Sequence, residues 1–329
     1  MIILTGAAGF ISSYLLTELN AAGREDIVLV DAFTNEDGTA VYPAKTPNFA
    51  NKRFSRLMNR ASFFTDFEKD PFPISAIIHL GAKTDTTLFD EAVFNELNVD
   101  FSKKMWHLAV AHQVPFIYAS SAATYGNGEF GYKDDTSLIY QLQPLNPYGW
   151  SKQHFDQWVL DQTEQPPFWA GLKFFNVYGP NEYHKGRMAS VIFHAFKQIK
   201  EKGEVTLFRS HNPNYKDGEQ LRDFVYVKDV ASIILFLLEK RPTSSIYNLG
   251  SGKARTFKAL VEAIFNTLNL EPNIQYMDTP IDIRDKYQYF TEADMYKMWQ
   301  AGYSKELHSL EDGVMDYVRE YLNKDFKTH

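Results

Sequence analysis

Two hydrophobic patterns alternate along the first half of the chain. Mostly apolar segments of strand length occupy residues 1–5, 27–31, 76–82, 115–121 and 168–177. Between them, segments with a helical pattern occupy residues 13–19, 94–111 and 148–162. A strand that is buried on both faces is apolar throughout, whereas apolar residues of a surface helix return every three to four positions. The alternation therefore predicts an α/β fold of Rossmann type, with a doubly wound parallel sheet.

The pattern becomes irregular beyond about residue 180. Helices are predicted at residues 188–202, 227–239 and 256–268, without regular strands between them. We therefore expect a dinucleotide-binding Rossmann domain over residues 1–180, to which later segments at about 220–255 return. Residues 181–329 would form mainly a smaller substrate-binding lobe that is interleaved with the first domain.

A glycine-rich turn joins the first strand to the first helix. Gly6 allows a tight turn, and Gly9 lets the backbone approach a pyrophosphate. The amides of Phe10 and Ile11 open the helix, where N–H groups and the helix dipole favour an anion. The second strand ends at Asp31, which completes the pattern of a dinucleotide fingerprint. The motif predicts that NAD or NADP is bound.

The sequence leaves the choice between these two dinucleotides open. Asp31 suits the ribose 2′-hydroxyl of NAD, whereas the 2′-phosphate of NADP would need a nearby cation. The candidate cations are Lys45, Lys52, Arg53, Arg56 and Arg60. Of these we select Lys52 and Arg60 as the predicted phosphate contacts.

Tyr148 and Lys152 are four residues apart on a predicted helix and share one of its faces. A free phenol has a pKa of roughly 10 and is a poor base at neutral pH. A neighbouring ammonium favours the phenolate, so we expect Lys152 to lower the pKa of Tyr148. Ser120 and Ser121 end a predicted strand nearby. This combination predicts that a substrate hydroxyl is activated beside a nicotinamide.

Composition excludes several classes of protein. The 329 residues are 44% hydrophobic and 23% charged, which suits one large α/β domain with a smaller lobe. A net charge of −7 without a basic face argues against nucleic acid. The absence of cysteine excludes disulfides and thiolate catalysis and fits the cytoplasm. No signal peptide is recognisable, and the longest apolar run, Val230–Leu238, is too short to cross a membrane.

Isolated histidines have simpler explanations than catalysis. We expect His184 to be a hydrogen-bonded structural residue and His79, at a strand end, to be packed in the core. No cluster of His, Asp and Glu has the spacing of a metal site, so no metal is predicted.

Several motifs together resemble the extended short-chain dehydrogenase/reductase superfamily. They are residues 5–11, Ser120–Gly126, Tyr148 with Lys152, and Arg222–Val230. Within that superfamily, residues 175–190 closely resemble the ADP-L-glycero-D-manno-heptose 6-epimerases, and residues 119–126 and 287–291 do so too. The segment His184-Lys185-Gly186 is the most specific part of this resemblance.

The resemblance implies that the enzyme epimerises ADP-D-glycero-D-manno-heptose at C6″ with tightly held NADP, or else with NAD. The product would supply heptose for the lipopolysaccharide inner core, and the enzyme would be a homo-oligomer. Tyr148 and Lys185 would be the acid–base groups on the two sides of C6″. Ser121 would hold the carbonyl oxygen, and Lys152 would hold the nicotinamide ribose.

The resemblance also implies a set of binding residues. The cofactor contacts would be Gly6, Gly9, Phe10, Ile11, Asp31, Lys52, Arg60, Leu80, Gly81, Ala82, Lys83, Thr84, Asn98, Lys152 and Val177. The substrate contacts would be Ser121, Asn176, Arg187, His194, Phe208, Arg209, Ser210, His211, Arg222 and Tyr287. Three positions depart from the family pattern. Ser12 replaces a glycine and should move the first helix slightly outward, Ala32 replaces a polar residue, and Arg187 replaces a small serine.

Two other interpretations stay open. The protein could be another NAD(P)-dependent sugar-nucleotide epimerase or reductase, or a 4,6-dehydratase. Dehydratases place an Asp-Glu pair after the serine, whereas Ala122 and Ala123 follow Ser121 here, which argues against water elimination. It could also be a non-catalytic dinucleotide sensor, but such proteins tend to lose the tyrosine or the lysine that this chain keeps.

Overall fold

A seven-stranded parallel sheet forms the centre of the molecule. The computed structural model describes residues 1–35, 38–86, 88–284 and 288–329. Its strands are β1 (Ile2–Thr5), β2 (Ile27–Asp31), β3 (Arg56–Asn59), β4 (Ala76–His79), β5 (Phe116–Ser121), β6 (Trp169–Phe174), β7 (Asn176–Tyr178), β8 (Val205–Phe208), β9 (Leu221–Tyr226), β10 (Ser245–Leu249), β11 (Ala254–Thr256) and β12 (Ile274–Met277).

Helices cover both faces of this sheet and build the second half of the chain. They are α1 (Phe10–Ala21), α2 (Phe63–Lys69), α3 (Glu91–Phe94), α4 (Phe101–Ala111), α5 (Pro147–Leu160), α6 (Val191–Lys202), α7 (Val227–Lys240), α8 (Phe257–Thr267), α9 (Ile281–Arg284), α10 (Tyr296–Gln300) and α11 (Leu310–Tyr317). Short 3₁₀ turns occupy Pro43–Asn48, Ala122–Tyr125, Thr136–Gln141 and Tyr183–Met188, and wider π turns occupy Asn95–Asp100 and Val318–Leu322.

The strand order places a crevice beside β1. The order is β10-β6-β5-β4-β1-β2-β3, and every neighbouring pair is parallel. The chain proceeds outward from β1 first in one direction and then in the other. Ligands of such sheets bind outside the carboxyl ends of the strands at this reversal. The predicted α/β fold of Rossmann type is confirmed.

Two smaller sheets lie apart from the central one. Their orders are β11-β9-β7 and β12-β8. The single strand expected over residues 168–177 is wrong, because the chain leaves the central sheet at Phe175 and β7 pairs with β9 instead. The helix expected from residue 188 begins at Val191, because the Ser190 hydroxyl accepts the Phe193 amide at 3.2 Å and so caps it. The division into two lobes stays a prediction.

None of the helices in the described ranges is both long and apolar enough to cross a membrane.

Candidate functional site

A cleft of about 620 Å³ opens at the carboxyl ends of β1, β2 and β4. The glycine turn and the start of α1 form one side, and the turn after β4 forms another. Predicted cofactor residues in its lining are Gly6, Gly9, Phe10, Ile11, Asp31, Arg60, Leu80, Gly81, Ala82, Lys83 and Thr84. Lys185 lines the same cleft. The structure therefore brings most of the predicted cofactor residues together with one predicted acid–base group.

The glycine turn has no room for side chains. Gly6 has a φ of +63°, and a Cβ there would lie 2.6 Å from the Cα of Gly81. A Cβ on Gly9 would lie 2.9 Å from the Gly6 carbonyl oxygen. Only glycine permits this close approach without strain. The bare backbone leaves the N-terminus of α1 open to the cleft, as a dinucleotide pyrophosphate requires.

Ser12 takes a direct part in the contact between α1 and β1. Its buried hydroxyl donates to the Thr5 carbonyl oxygen at 3.0 Å. A glycine at this position would leave that contact without a side chain. The serine therefore joins helix and strand by a hydrogen bond while the cleft beside it is kept.

Asp31 organises the far end of the cleft. Its carboxylate accepts the amides of Ala8 at 3.0 Å and Ala32 at 2.7 Å. The Lys45 ammonium lies 4.0 Å from the same carboxylate and lines the cleft with Arg60. Lys52 lies outside this lining, where its ammonium donates to the Ser13 carbonyl oxygen at 2.5 Å. Lys45 is one of the candidate cations in the sequence, but the chain between residues 33 and 72 has no clear pattern that would distinguish it from the others.

Asn98 stands behind the turn that follows β4. Its side chain accepts the Lys83 amide at 2.8 Å and donates to the Lys83 carbonyl oxygen at 3.0 Å. It also donates to the Ser151 hydroxyl on α5 at 2.9 Å. Asn98 therefore fixes one wall of the cleft relative to the helix that carries Tyr148.

His79 and His184 are both held by hydrogen bonds. The two ring nitrogens of His79 lie 2.7 Å from the Thr5 hydroxyl and 2.8 Å from the Ser102 hydroxyl. Burial lowers the pKa of His79 to about 3. His184 Nδ1 lies 3.2 Å from the Asn48 amide nitrogen, and burial lowers the pKa of His184 to about 4. Both rings are neutral at pH 7. The packing expected for His79 is confirmed, whereas His184 is hydrogen-bonded as expected but also lines the cleft.

Tyr148 lies in the first turn of α5, next to the residues that begin the helix. Asn146 caps the helix by accepting the Gly149 amide at 2.8 Å, and Pro147 follows as the first helical residue. Burial raises the pKa of Tyr148, while a hydrogen bond with the Ser121 side chain acts to lower it. The expectation that Lys152 lowers this pKa is wrong, because burial prevails.

Lys152 lies one turn further along α5. Its ammonium donates to the Ala119 carbonyl oxygen at 2.8 Å. Burial lowers the pKa of Lys152 to about 8, and the nearby Asp156 carboxylate acts in the opposite direction. Lys152 is therefore a cation at neutral pH that can lose its proton in mildly basic solution.

Lys185 lies in the 3₁₀ turn between β7 and α6. Its ammonium is 5.4 Å from the centre of the Phe10 ring, at the mouth of the glycine turn. Burial lowers the pKa of Lys185, and the buried Glu182 carboxylate opposes this. A lysine with a lowered pKa in a cleft can take up a proton from a substrate hydroxyl. Asn176 and Val177 lie on β7, the strand that leads into this turn.

The predicted substrate residues fall on several elements. The Arg222 guanidinium on β9 donates to the backbone carbonyl oxygen of Gln288. The side chain of Gln288 in turn donates to the Gly126 carbonyl oxygen. His211 accepts the Thr279 amide at 3.3 Å, and Arg209 is 4.0 Å from Asp217. Arg187 is exposed, and the buried Nε2 of His194 has no hydrogen-bond partner among the described residues. The remaining residues are Phe208 at the end of β8 and Ser210 after it, while Tyr287 lies outside the described residues.

No group of three or more His, Asp and Glu side chains within the described ranges is placed to hold a metal ion.

The cleft, the bare glycine turn and the Ser121–Tyr148–Lys152 group define a class of nicotinamide-dependent enzymes. Consistent with this, residues 2–250 match the model of the NAD dependent epimerase/dehydratase family. Two relatives that match over nearly the full length carry a more specific enzyme name. The chain is 45% identical to the ADP-L-glycero-D-manno-heptose-6-epimerase of Fusobacterium nucleatum, over 99% of each chain. It is 44% identical to the enzyme of the same name from Nitratidesulfovibrio vulgaris, over 98% of each chain.

A solved structure agrees with these relatives. The crystal structure of the Helicobacter pylori ADP-L-glycero-D-manno-heptose-6-epimerase superposes with a TM-score of 0.80 at 25% identity, covering 97% of this chain and 95% of that one. The chain belongs to the family of the ADP-L-glycero-D-manno-heptose-6-epimerases within the NAD dependent epimerase/dehydratases.

Proposed function

We propose that this protein converts ADP-D-glycero-D-manno-heptose to ADP-L-glycero-D-manno-heptose by inverting C6″, and so supplies heptose for the lipopolysaccharide inner core. The observation that carries the proposal is the match of 45% identity over 99% of both chains to an epimerase of that name. The location of Lys185 in the same cleft as the glycine turn supports it, because this lysine belongs to the motif closest to that family.

The family model supports NAD(P) as the cofactor class, and we propose NADP as the cofactor. Lys45 and Arg60 support this choice, since two cations line the cleft beside Asp31 and could receive a 2′-phosphate. The pyrophosphate would meet the amides at the start of α1. When bound, the nicotinamide supplies a hydride acceptor that can also return the hydride, and the protein supplies orientation and proton transfer.

The opposite pKa shifts of two ionisable groups support the proposed proton-transfer roles. Burial raises the pKa of Tyr148, which keeps the phenol protonated, and lowers the pKa of Lys185, which favours a neutral amine. One group can therefore accept the proton of the 6″-hydroxyl when C6″ is oxidised. The other can donate a proton to the 6″-oxygen when C6″ is reduced from the opposite side. Ser121 would hold that oxygen beside Tyr148.

The test is to incubate the purified protein with ADP-D-glycero-D-manno-heptose and to follow the configuration at C6″ by NMR. Matched incubations contain NADP, NAD or no added nucleotide, and a protein-free sample is the control. We expect the L-glycero epimer to accumulate to an equilibrium mixture without net consumption of nucleotide. If C6″ keeps its configuration with both nucleotides, the proposed reaction is wrong.

The assembly is a separate proposal. We propose that the protein is a homo-oligomer, and sedimentation velocity would measure its mass. A monomer at micromolar concentration would contradict this.

A further inference from the structure

A buried pair of opposite charges lies between α5 and the central sheet. Asp156 is 0% exposed and Lys173 is 1% exposed, and the two charged groups are 2.9 Å apart. Such a pair is weak evidence for stability, because removing two charges from water can cost as much free energy as their attraction returns. The reason for keeping the pair here has to be sought in what its two members contact.

Asp156 ties α5 to the strand that ends in Ser121. Its carboxylate accepts the Tyr118 hydroxyl at 2.9 Å and the Ser120 hydroxyl at 2.6 Å. Both donors belong to β5, and the Lys173 ammonium adds a third donor from β6. One carboxylate therefore joins a helix to two neighbouring strands.

Lys173 extends this network to the peptide of Ser121. Its ammonium donates to the Thr124 hydroxyl at 2.5 Å, and that hydroxyl donates to the Ser121 carbonyl oxygen at 2.8 Å. The Lys173 ammonium therefore contacts both the turn after β5 and the Asp156 carboxylate of α5. Loss of the Lys173 ammonium would remove a contact to each, and loss of the Asp156 charge would leave that ammonium buried without its partner.

The spacing along α5 places Asp156 on the same side of the helix as Tyr148 and Lys152. Asp156 follows Lys152 by one turn and Tyr148 by two turns, so the three side chains share one face. We propose that Asp156 and Lys173 are positioning residues that hold Tyr148 and Lys152 in register with Ser121. The proposal rests on the proposed function, because the reaction defines why that register matters.

The same carboxylate acts on Lys152 through its charge. Asp156 favours the ammonium form of Lys152 and so opposes the lowering of its pKa by burial. Removing this charge should lower the pKa of Lys152 below about 8. Asp156 is also faced by Tyr148 on α5, Tyr118 on β5, Tyr125 in the turn after β5 and Lys173 on β6, and Lys152 is faced by His79 on β4.

The first test is the Asp156→Asn variant in the epimerase assay. We expect kcat to fall about 10- to 100-fold, because misplacing a reacting group by about 1 Å costs up to that much. KM should stay within about threefold, since the pair does not contact the substrate. The basic limb of the pH profile of kcat should move to lower pH. Asp156→Glu keeps the charge and should keep the native position of that limb.

The control replaces another buried carboxylate, whose hydrogen bonds are made to a different part of the chain. Asp229 on α7 holds His308 through bonds of 3.0 Å to its amide and 2.7 Å to its ring. Asp229→Asn should lower thermal stability but leave kcat and the basic limb as in the native protein. If Asp229→Asn reproduces the effects of Asp156→Asn, a general loss of stability explains both, and the positioning role is overturned.

A second readout does not depend on any substrate. In protein labelled with ¹³C at lysine Cε, NMR titration gives the pKa of Lys152, assigned with Lys152→Arg. We expect this pKa to fall in Asp156→Asn and to stay native in Asp229→Asn. The double variant Asp156→Asn/Lys173→Met leaves no unpaired buried charge, so it should fold even if the single variant does not, and it should show the same shift.

These measurements separate the two proposals. If the native protein leaves C6″ unchanged but the pKa of Lys152 falls as expected, the proposed reaction fails and the support of Lys152 by Asp156 stands. If a folded Asp156→Asn or double variant keeps both the native kcat and the native pKa of Lys152, the positioning role is overturned.

Discussion

At the scale of single residues, burial shifts the pKa values of Tyr148 and Lys185 in opposite directions. The raised pKa of Tyr148 favours the protonated phenol, and the lowered pKa of Lys185 makes its neutral amine more accessible than that of an ordinary lysine. An epimerisation that removes and returns a hydride needs one proton donor and one proton acceptor in every turnover. The assignment can therefore be tested by removing one proton-carrying atom at a time.

Tyr148→Phe removes the phenol oxygen and keeps the ring. We expect epimerisation to fall by a factor of about 10² or more, since a positioned acid–base group typically contributes that much. Fold and bound nucleotide should be unchanged. The control is Tyr140→Phe, which removes an exposed hydroxyl bonded to Asp161. Turnover of the Tyr148 variant close to that of the control would exclude the proposed role.

Lys185→Met removes the second acid–base group and keeps most of the side-chain volume. We expect net epimerisation to stop while substrate affinity stays within a few fold. Single-turnover reduction of bound nucleotide should become much slower with one epimer only, and Tyr148→Phe should show the reverse preference. If both variants lose the same epimer, the two groups do not serve opposite sides of C6″.

Sequence reasoning found the site residues that lie close together along the chain. The Tyr148–Lys152 spacing and the glycine turn are local patterns whose physical meaning does not depend on the rest of the fold. The Asp156–Lys173 pair is different, because Lys173 reaches Asp156 only once β6 lies beside β5. The helical spacing of Asp156 after Lys152 was the one available signal. The pKa of Tyr148 also could not be predicted, since it depends on burial.

At the scale of elements, the turn that carries Lys185 is held on two sides. Inside, the buried Glu182 accepts the Tyr317 hydroxyl at 3.0 Å and the Ser190 hydroxyl at 2.7 Å. Outside, residues 325–329 fold back over it. Asp325 and Phe326 both have left-handed backbone conformations, with φ of 52° and 56°, which reverse the chain. Such conformations cost free energy and persist only where surrounding contacts hold them.

The contacts of this returning segment lie next to Lys185. The His329 amide donates to Asn181 at 2.8 Å, and the Tyr183 hydroxyl donates to the Lys327 carbonyl oxygen at 2.8 Å. The His329 ring also stacks on Tyr14 of α1, with ring centres 4.3 Å apart. The segment therefore joins the Lys185 turn to α1.

Removal of residues 325–329 should increase local opening of the Lys185 turn while the rest of the protein stays folded. We expect faster amide hydrogen exchange in residues 181–190 and a reduced kcat, because local opening requires less free energy than global unfolding. The control is Lys324→Ala, which breaks an exposed ion pair with Glu320 and should leave exchange unchanged. Native exchange rates in the shortened protein would show that the segment does not hold the turn.

Elements with a clear hydrophobic pattern were predictable, and those without one were not. The central strands are apolar because both their faces are buried, and so their positions follow from sequence. Strand β3 lies at the sheet edge and is only partly buried, so its residues carry no such pattern. The departure of the chain at Phe175 was also hidden, because no glycine or proline marks the point where the chain changes sheets.

At the scale of the whole molecule, the nucleotide should behave as a resident group. Hydride removal and return occur at one site. A nucleotide that left between the two steps would leave the oxidised sugar without the hydride needed to reduce it. We therefore expect nucleotide to stay bound through purification, and mass spectrometry of the denatured protein would identify it. Recovery of no dinucleotide, together with no gain in activity on adding NADP or NAD, would contradict the mechanism.

The identity of the retained nucleotide tests the charges at the far end of the cleft. Asp31 alone would repel a 2′-phosphate, but Lys45 and Arg60 line the cleft beside it and can compensate that charge. We expect NADP(H) to be recovered. Lys45→Ala and Arg60→Ala should each weaken NADP binding, measured by titration calorimetry of nucleotide-stripped protein, and should change NAD binding little. Lys52→Ala is the comparison, because the Lys52 ammonium is bonded to the Ser13 carbonyl oxygen and lies outside the cleft lining. If only NAD(H) is recovered, or if Lys52→Ala is the variant that loses NADP affinity, the cations at this end of the cleft do not set the preference.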